Sequence, residues 1–164
     1  MMYLLSIAAA SRSVRLAAAY FVPDEVAITM LVAAIERGVK VEILVPGPHI
    51  DYDVVQAASR ATWGKLLEAG AEIYEYQPTM YHCKVLIVDE MWTSVGSTNF
   101  DNRSFVINDE ANLNIYDRGF ALEQVRIFEH DRTNAVRVTL KRWKSRSLVA
   151  RLWSAAAGLL SSQL

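Results

Sequence analysis

Six residues between Tyr81 and Asn114 carry side chains suited to work on a phosphate ester: His82, Lys84, Asp89, Ser97, Asn99 and Glu110. An imidazole can attack phosphorus or move a proton, and an ammonium group neutralises anionic oxygens. A hydroxyl and a carboxamide donate hydrogen bonds to such oxygens. The spacing predicts how they meet. His82-Cys83-Lys84-Val85-Leu86-Ile87-Val88 reads as a strand. Alternation then puts His82 and Lys84 on one face, about 7 Å apart. Cys83 falls on the opposite face, as a buried structural thiol. Asp89-Glu90 is a turn, Trp92 to Val95 the hairpin partner, and Gly96-Ser97-Thr98-Asn99 a loop of small residues able to approach an anion closely. Glu110 opens a further strand, Ala111 to Tyr116. From there its carboxylate could hold one ring nitrogen of His82 and fix the tautomer.

Competing chemistries fit the residues less well. A Ser97–His82–Asp89 triad lacks the G-x-S-x-G elbow. A zinc site from His82 and Cys83 fails because adjacent strand residues face opposite ways. Tyr81, Trp92, Phe100 and Phe105 read as core rather than as stacking platforms. Arg103 could add charge to the site or tie down its loop. Asp89, in a turn, suits structural hydrogen bonding better than catalysis.

The pattern His82-x-Lys84-x4-Asp89-x6-Gly96-Ser97-x-Asn99 resembles the HKD motif of the phospholipase D superfamily. YFVPD (Tyr20 to Asp24), RGVKVEILVPG, SRATWGKLLEAG, YEYQPTMYHCK, GSTNFDNRSF and INDEANLN are similar to the second half of bacterial cardiolipin synthases. The resemblance implies phosphatidyl transfer between phospholipids through a phosphohistidine, with phosphatidylglycerol as the typical donor and no metal or cofactor. It implies a catalytic set of His82, Lys84, Asp89 and Glu110, and a phosphate clamp of Lys84, Ser97 and Asn99. Such enzymes carry two HKD motifs and this sequence has one: His49 and His130 lack a lysine two residues later. A second half is therefore expected, from a longer chain or from a homodimer. A homodimeric single-motif phosphodiesterase acting on nucleic acid is the alternative, and an inactive truncated fragment the third reading.

The positioning elements follow from periodicity. Met2 to Ser11 starts as a helix and Val14 to Phe21 is a strand. Asp24 caps a helix bearing Ile28, Leu31, Val32 and Ile35, ended by Gly38. Val41 to Val45 is a strand. Asp51 or Asp53 caps a helix running to Ala69, and Gly70 ends it. Ala71 to Tyr76 is a strand. This order predicts an α/β, phospholipase D-like fold with a mixed, largely parallel sheet and helices on both faces. A helix over Phe120 to Asp131 follows, with Leu122, Val125, Ile127 and Phe128 as its apolar set.

A chain of 164 residues with 52% hydrophobic and 21% charged residues fits one globular domain, residues 1–164. Its net charge of −1 conceals an asymmetry: all 18 acids precede Arg132, and the remainder carries seven Lys and Arg. Residues from about 139 to 164 form a basic amphipathic helical segment. Val149, Leu152, Trp153, Ala156 and Leu160 make a stripe beside Lys141, Arg142, Lys144, Arg146 and Arg151. Such a helix can lie on an anionic membrane surface, although packing against the sheet is the simpler expectation. Met1 to Ala10 is apolar but about half the ~20 residues of a span. With these features, the resemblance to cardiolipin synthases implies a peripheral place on the bacterial cytoplasmic membrane, and either the C-terminal half of a longer protein or a truncated product.

Overall fold

The computed structural model describes residues 2–158. The chain runs α1 (Met2–Ala9), β1 (Ser13–Ala18), β2 (Phe21–Val22), α2 (Glu25–Glu36), β3 (Lys40–Pro46), α3 (Asp53–Ala69), β4 (Glu72–Tyr76), β5 (Lys84–Val88), β6 (Trp92–Gly96), β7 (Phe100–Asp101), α4 (Asn102–Val106), β8 (Asn112–Tyr116), α5 (Arg118–Thr133), β9 (Ala135–Val138), α6 (Leu140–Lys144) and α7 (Leu148–Gly158). Seven strands form the main sheet in the order β8-β6-β5-β1-β3-β4-β9. Within this sheet, among the described residues, only β1–β3 and β3–β4 pair in parallel; β1–β5, β5–β6, β6–β8 and β4–β9 are antiparallel. The sheet is mixed and mostly antiparallel, which corrects the largely parallel expectation. The strand–helix units of the first half fold as expected. The hairpin then docks on the free edge of β1, and β9, which the sequence reading missed, closes the other edge.

Helices cover both faces. On one, Ile7 of α1, Ile28 and Leu31 of α2 and Trp63 and Leu66 of α3 pack on Val14, Leu16, Val41, Ile43, Ile73, Leu86 and Val88. On the other, Ala121 and Phe128 of α5 meet Ala17, Leu44, Ile87 and Tyr81. Ile127, assigned to that helix's apolar set, is exposed. The second face is also charged. Glu42, fully buried, pairs with Arg15 at 3.2 Å, with Lys40 at 2.9 Å and with Arg132. A carboxylate removed from water this completely is held only because three cations surround it.

Two helix ends bear comparison with the sequence. Asp24 caps α2 by accepting from Ala27 N at 2.7 Å, and Gly70 ends α3 in the left-handed region at φ +110. Neither Asp51 nor Asp53 caps α3: its N-cap is Tyr52, without a side-chain bond. Asp51 instead accepts from the Tyr20 hydroxyl at 2.6 Å.

The β5–β6 connection holds the hairpin to α1 and β1. Asp89 and Glu90 both sit at positive φ, 55 and 56, which costs L-residues about 1 kcal/mol each. The Asp89 carboxylate offsets this. It accepts from Ser11 N at 2.9 Å, Arg12 N at 2.7 Å and Ser13 N at 2.8 Å, and from the Ser11 hydroxyl at 2.8 Å. Burial works against its charge, but the amides of Ser13, Ser11 and Arg12 outweigh it and hold the carboxyl below its ordinary value. Asp89→Asn should therefore cost about 1–2 kcal/mol in urea unfolding at neutral pH. The depressed folded pKa fixes the sign: the Asp89 contribution is present above the unfolded carboxyl pKa of about 4 and disappears as pH falls through the lower folded value. Titrating wild type and variant should show the gap narrowing below about pH 4; a gap that persists to lower pH would remove the carboxylate clamp.

Candidate active site

Lys84 is the first residue of β5 and pairs with Ala18, the last of β1. The regular strand begins there, so His82 and Cys83 precede it. Cys83 lies toward Tyr81 and Asp131, but its side chain is exposed rather than buried as expected. The loop is nonetheless anchored. Tyr81 is buried, stacks on Tyr76 at 4.8 Å and donates to Asp131 at 3.1 Å. Ala19 N donates to Cys83 O at 2.8 Å, continuing the β1–β5 pairing. His82, exposed between these fixed neighbours, sets its ring edge-to-face on Tyr20, centroids 5.9 Å apart. Lys84 Nζ lies 3.4 Å from His82 O. Burial pulls the Lys84 ammonium below its ordinary value, opposed by the charges of Cys83, Glu110, Asp51 and Asp101. His82, through Tyr20 and its partner Asp51, and Lys84 thus share one end of the sheet.

The Ser97–Asn99 loop reaches the same end. Gly96 lies so close to β8 that a Cβ would sit 2.2 Å from Ala111 O, so only glycine fits. Ser97 N donates to Ala111 O at 3.1 Å, and Ala111 N donates to Ser97 Oγ at 3.0 Å. Ser97 Oγ in turn donates to Glu110 Oε2. Ser104 Oγ and Asn108 Nδ2 donate to the other oxygen at 3.1 and 3.3 Å. The Ser97 bond, with those of Asn108 and Ser104 and the Lys84 charge, keeps the Glu110 carboxyl below its ordinary value against the opposing effect of burial. No hydrogen bond joins Glu110 to His82 among the described residues. The expected carboxylate–imidazole contact is replaced by a carboxylate that organises the loop.

Asn99 is half-buried, and its Oδ1 has no hydrogen-bond partner among the described residues. It lines a cleft of about 430 Å³ with Tyr20, Tyr52, Asp101, Arg103, Ser104 and Asn108. The short parallel pairing of β2 with β7, continued by Phe100 N donating to Tyr20 O at 3.1 Å, brings Asn99 beside Tyr20. Arg103 does both things the sequence left open: it faces the cleft and donates to Asn108 at 3.3 Å. Buried Asp101 caps α4 by accepting from Ser104 N at 2.7 Å, and burial raises its carboxyl. Tyr81 and Phe100 are core residues, and Trp92 and Phe105 pack against the core. Asp89 stands at the far end of β5, about 16 Å from Lys84 along the strand, with its carboxylate occupied by backbone amides. The structure gives it a scaffold position, away from the other motif residues.

Sequence reasoning missed Tyr20, Asp51 and Asn112. Asn112 Nδ2 donates to Tyr3 at 2.9 Å and Ser94 at 3.1 Å, while its Oδ1 accepts from Thr98 N at 3.2 Å and Thr98 Oγ1 at 2.9 Å. A carboxamide at the start of a strand inside the cluster INDEANLN was the available signal.

A histidine, a half-buried ammonium, a hydroxyl–carboxylate pair and an unpartnered carboxamide beside an open cleft are groups that can bind and cleave a phosphate ester. Residues 3–132 match the family described as cardiolipin synthase, PLD-like domain. The chain belongs to this family. It is 37% identical over 163 residues to a cardiolipin synthase of Geobacillus kaustophilus, covering 99% of this chain and 32% of that protein. It is 35% identical over 159 residues to cardiolipin synthase A of Pseudomonas putida, covering 97% and 33%. The chain thus spans about a third of the length of the curated relatives it matches. Two solved structures share the fold. The phospholipase D family member NUC of Salmonella typhimurium has a TM-score of 0.75 at 24% identity, covering 84% of this chain and 89% of that one. The phosphatidylserine synthase of Haemophilus influenzae has a TM-score of 0.75 at 15% identity, covering 99% and 44%.

The loop's dependence on Asn112 is measurable. Asn112→Ala leaves Thr98 N–H and the Ser94 and Tyr3 hydroxyls without their partner and should cost about 1–3 kcal/mol in urea unfolding, with faster amide exchange at Thr98. Unchanged exchange there would mean that other contacts hold the loop.

Proposed function

We propose that the chain is one catalytic half of a phosphatidyltransferase of the cardiolipin synthase type, acting on phospholipid phosphodiesters. The observation that carries this reading is the shared location of His82, Lys84, Ser97, Asn99 and Glu110 at one open end of the sheet. Lys84 and Arg103 neutralise phosphate oxygens, and Asn99 offers its amide N–H. One imidazole of the assembled enzyme attacks phosphorus as the bond to the leaving alcohol breaks. A second imidazole protonates that alcohol, giving a phosphohistidine. The second imidazole then takes the proton of the acceptor hydroxyl, whose oxygen displaces histidine from phosphorus. Phosphatidylglycerol suits both donor and acceptor roles. His82 supplies one of the two imidazoles.

The need for a second half follows from charge. Around Lys84 stand Glu110, Asp51 and Asp101, so the cleft alone is a poor host for an anion. A second lysine and histidine from a facing half complete it. The rim beside Glu110 carries exposed Val106, Ile107 and Leu113, an apolar surface suited to receive that half. In this reading the assembled enzyme sits peripherally on the bacterial cytoplasmic membrane. Two copies of this chain would bring together the same groups, as a dimeric phosphodiesterase.

The test joins this chain to a first half bearing its own His-x-Lys motif and supplies phosphatidylglycerol vesicles. Cardiolipin and free glycerol should form, and His82→Ala should lower the rate by about 10³-fold or more with an unchanged unfolding midpoint. Turnover retained in the variant would overturn the role of His82, and no transfer from the joined wild-type halves would overturn the reading itself. A complex of two copies of this chain that cleaves a nucleic acid and spares lipid would favour the dimeric phosphodiesterase.

A further inference from the structure

Helix α7 packs with its small side inward. Ser154 and Ala157 are buried, and Ala150 and Gly158 half-buried, so that α7 lies close along α3. The apolar stripe read from the sequence faces the other way: Leu148 is 73% exposed, Val149 77%, Leu152 71% and Trp153 54%, with Ala156 exposed between them and Ala155 beside them. This reverses the expectation of a stripe packed against the sheet; Leu160, assigned to that stripe, lies outside the described residues. At 100° per residue the four large side chains span about 140° of the helix, opposite Ser154 and Ala157. A helix that already has its packing partner has no folding reason to display four large apolar side chains to water.

We propose that this outward face of α7 is a docking surface for an anionic lipid bilayer. Charge selects the occupant. From Arg132 to the end of the sequence there are no Asp or Glu side chains. Lys144 is paired with Glu68, and Arg132 and Arg137 with acids of the body. Lys141 and Arg142 on α6 and Arg151, which borders the apolar arc on α7, are exposed and make no ion pair among the described residues. Trp153 has the amphipathic ring that favours the headgroup region. Location agrees: Ala157 packs with Val55, Ala57 and Ala58 at the start of α3, and Val54 and Val55 line the cleft. The docking helix therefore stands beside the mouth of the site. A second half is already provided for at the Val106–Ile107–Leu113 rim, on other elements. The inference rests on the lipid reading only for its purpose, since the binding itself requires no turnover.

The experiment is flotation of the full chain with vesicles of equimolar phosphatidylcholine and phosphatidylglycerol, and with phosphatidylcholine alone. Wild type should float with the anionic vesicles and remain behind with the neutral ones. Val149→Glu with Leu152→Glu, on exposed positions that leave the α3 contact intact, should reduce the bound fraction at least tenfold. Arg151→Glu should reduce it about fivefold or more, since one cation near such a surface is worth about that factor. His82→Ala should float like wild type; a wild-type chain that floats yet gives no transfer when joined to a first half would refute the site and leave this surface standing. Failure of wild type to float, or unaltered flotation of the glutamate variant, overturns the proposal. So does a variant that only converts a dimer to a monomer in sedimentation, which would assign the face to a second copy of the chain.

Discussion

The antiparallel seam between β1 and β5 is the interaction on which the rest depends. β5 enters the sheet as a central strand, hydrogen-bonded to β1 on one side and β6 on the other. Its start delivers Lys84 and the His82 loop; its end delivers the turn gripped by Asp89. Because side chains alternate along a strand, the seam fixes both which groups reach the cleft and which enter the core. Val85 and Ile87 pack toward α5, while Leu86 and Val88 pack toward α1, α2 and α3. The catalytic-type residues need no strained geometry of their own. They inherit their positions from a strand locked by hydrophobic contacts on both faces.

Electrostatics divides the molecule into two kinds of charged site. Beneath α5, Glu42 and its cations are matched and largely enclosed, and such a set confers a defined arrangement more than net stability. At the candidate site the matching is incomplete: Arg103 and buried Asp101 line the cleft, and Lys84 feels the charges of Glu110, Asp51 and Asp101. Both Glu110 oxygens are engaged by hydroxyl or amide donors, and the Lys84 ammonium has no ion-pair partner among the described residues. Such an ammonium, partly out of water and surrounded by acids at longer range, holds an anion only when a second cation faces it.

The sequence displayed much of this. The His82, Lys84, Ser97, Asn99 and Glu110 cluster was legible because its residues lie within a short span whose strand and loop signals are strong. The β1–β3–β4 parallel core was legible from the alternation of strand and helix. What escaped were contacts made across long separations. Nothing local tells that β5 inserts beside β1 in reverse, or that the four residues Ala135–Val138, just past the end of α5, become an edge strand. Glu42 sits in a run that reads as apolar, and only the arrival of Arg15 and Arg132 from distant segments makes it tolerable. The Glu110–His82 contact was expected from chain order, but Ser97, Ser104 and Asn108 lie nearer and claim both oxygens. The amphipathic stripe of α7 was read correctly as a pattern and incorrectly as a packing face, because α3 offers small residues and accepts a close, small-sided neighbour.

The tightness of the β5–β6 connection has an evolutionary consequence. With Asp89 tied to three successive amides and only Asp89, Glu90 and Met91 between the paired strands, the hairpin has little slack to absorb an insertion. One added residue would shift β6 against β5, turn Thr93 and Ser94 from one face to the other, and carry Ser97 and Asn99 about 3 Å along the strand axis. Substitutions in this hairpin can be tolerated singly, whereas length changes cannot, so the motif's spacing is expected to outlast the identity of most of the residues between its polar positions.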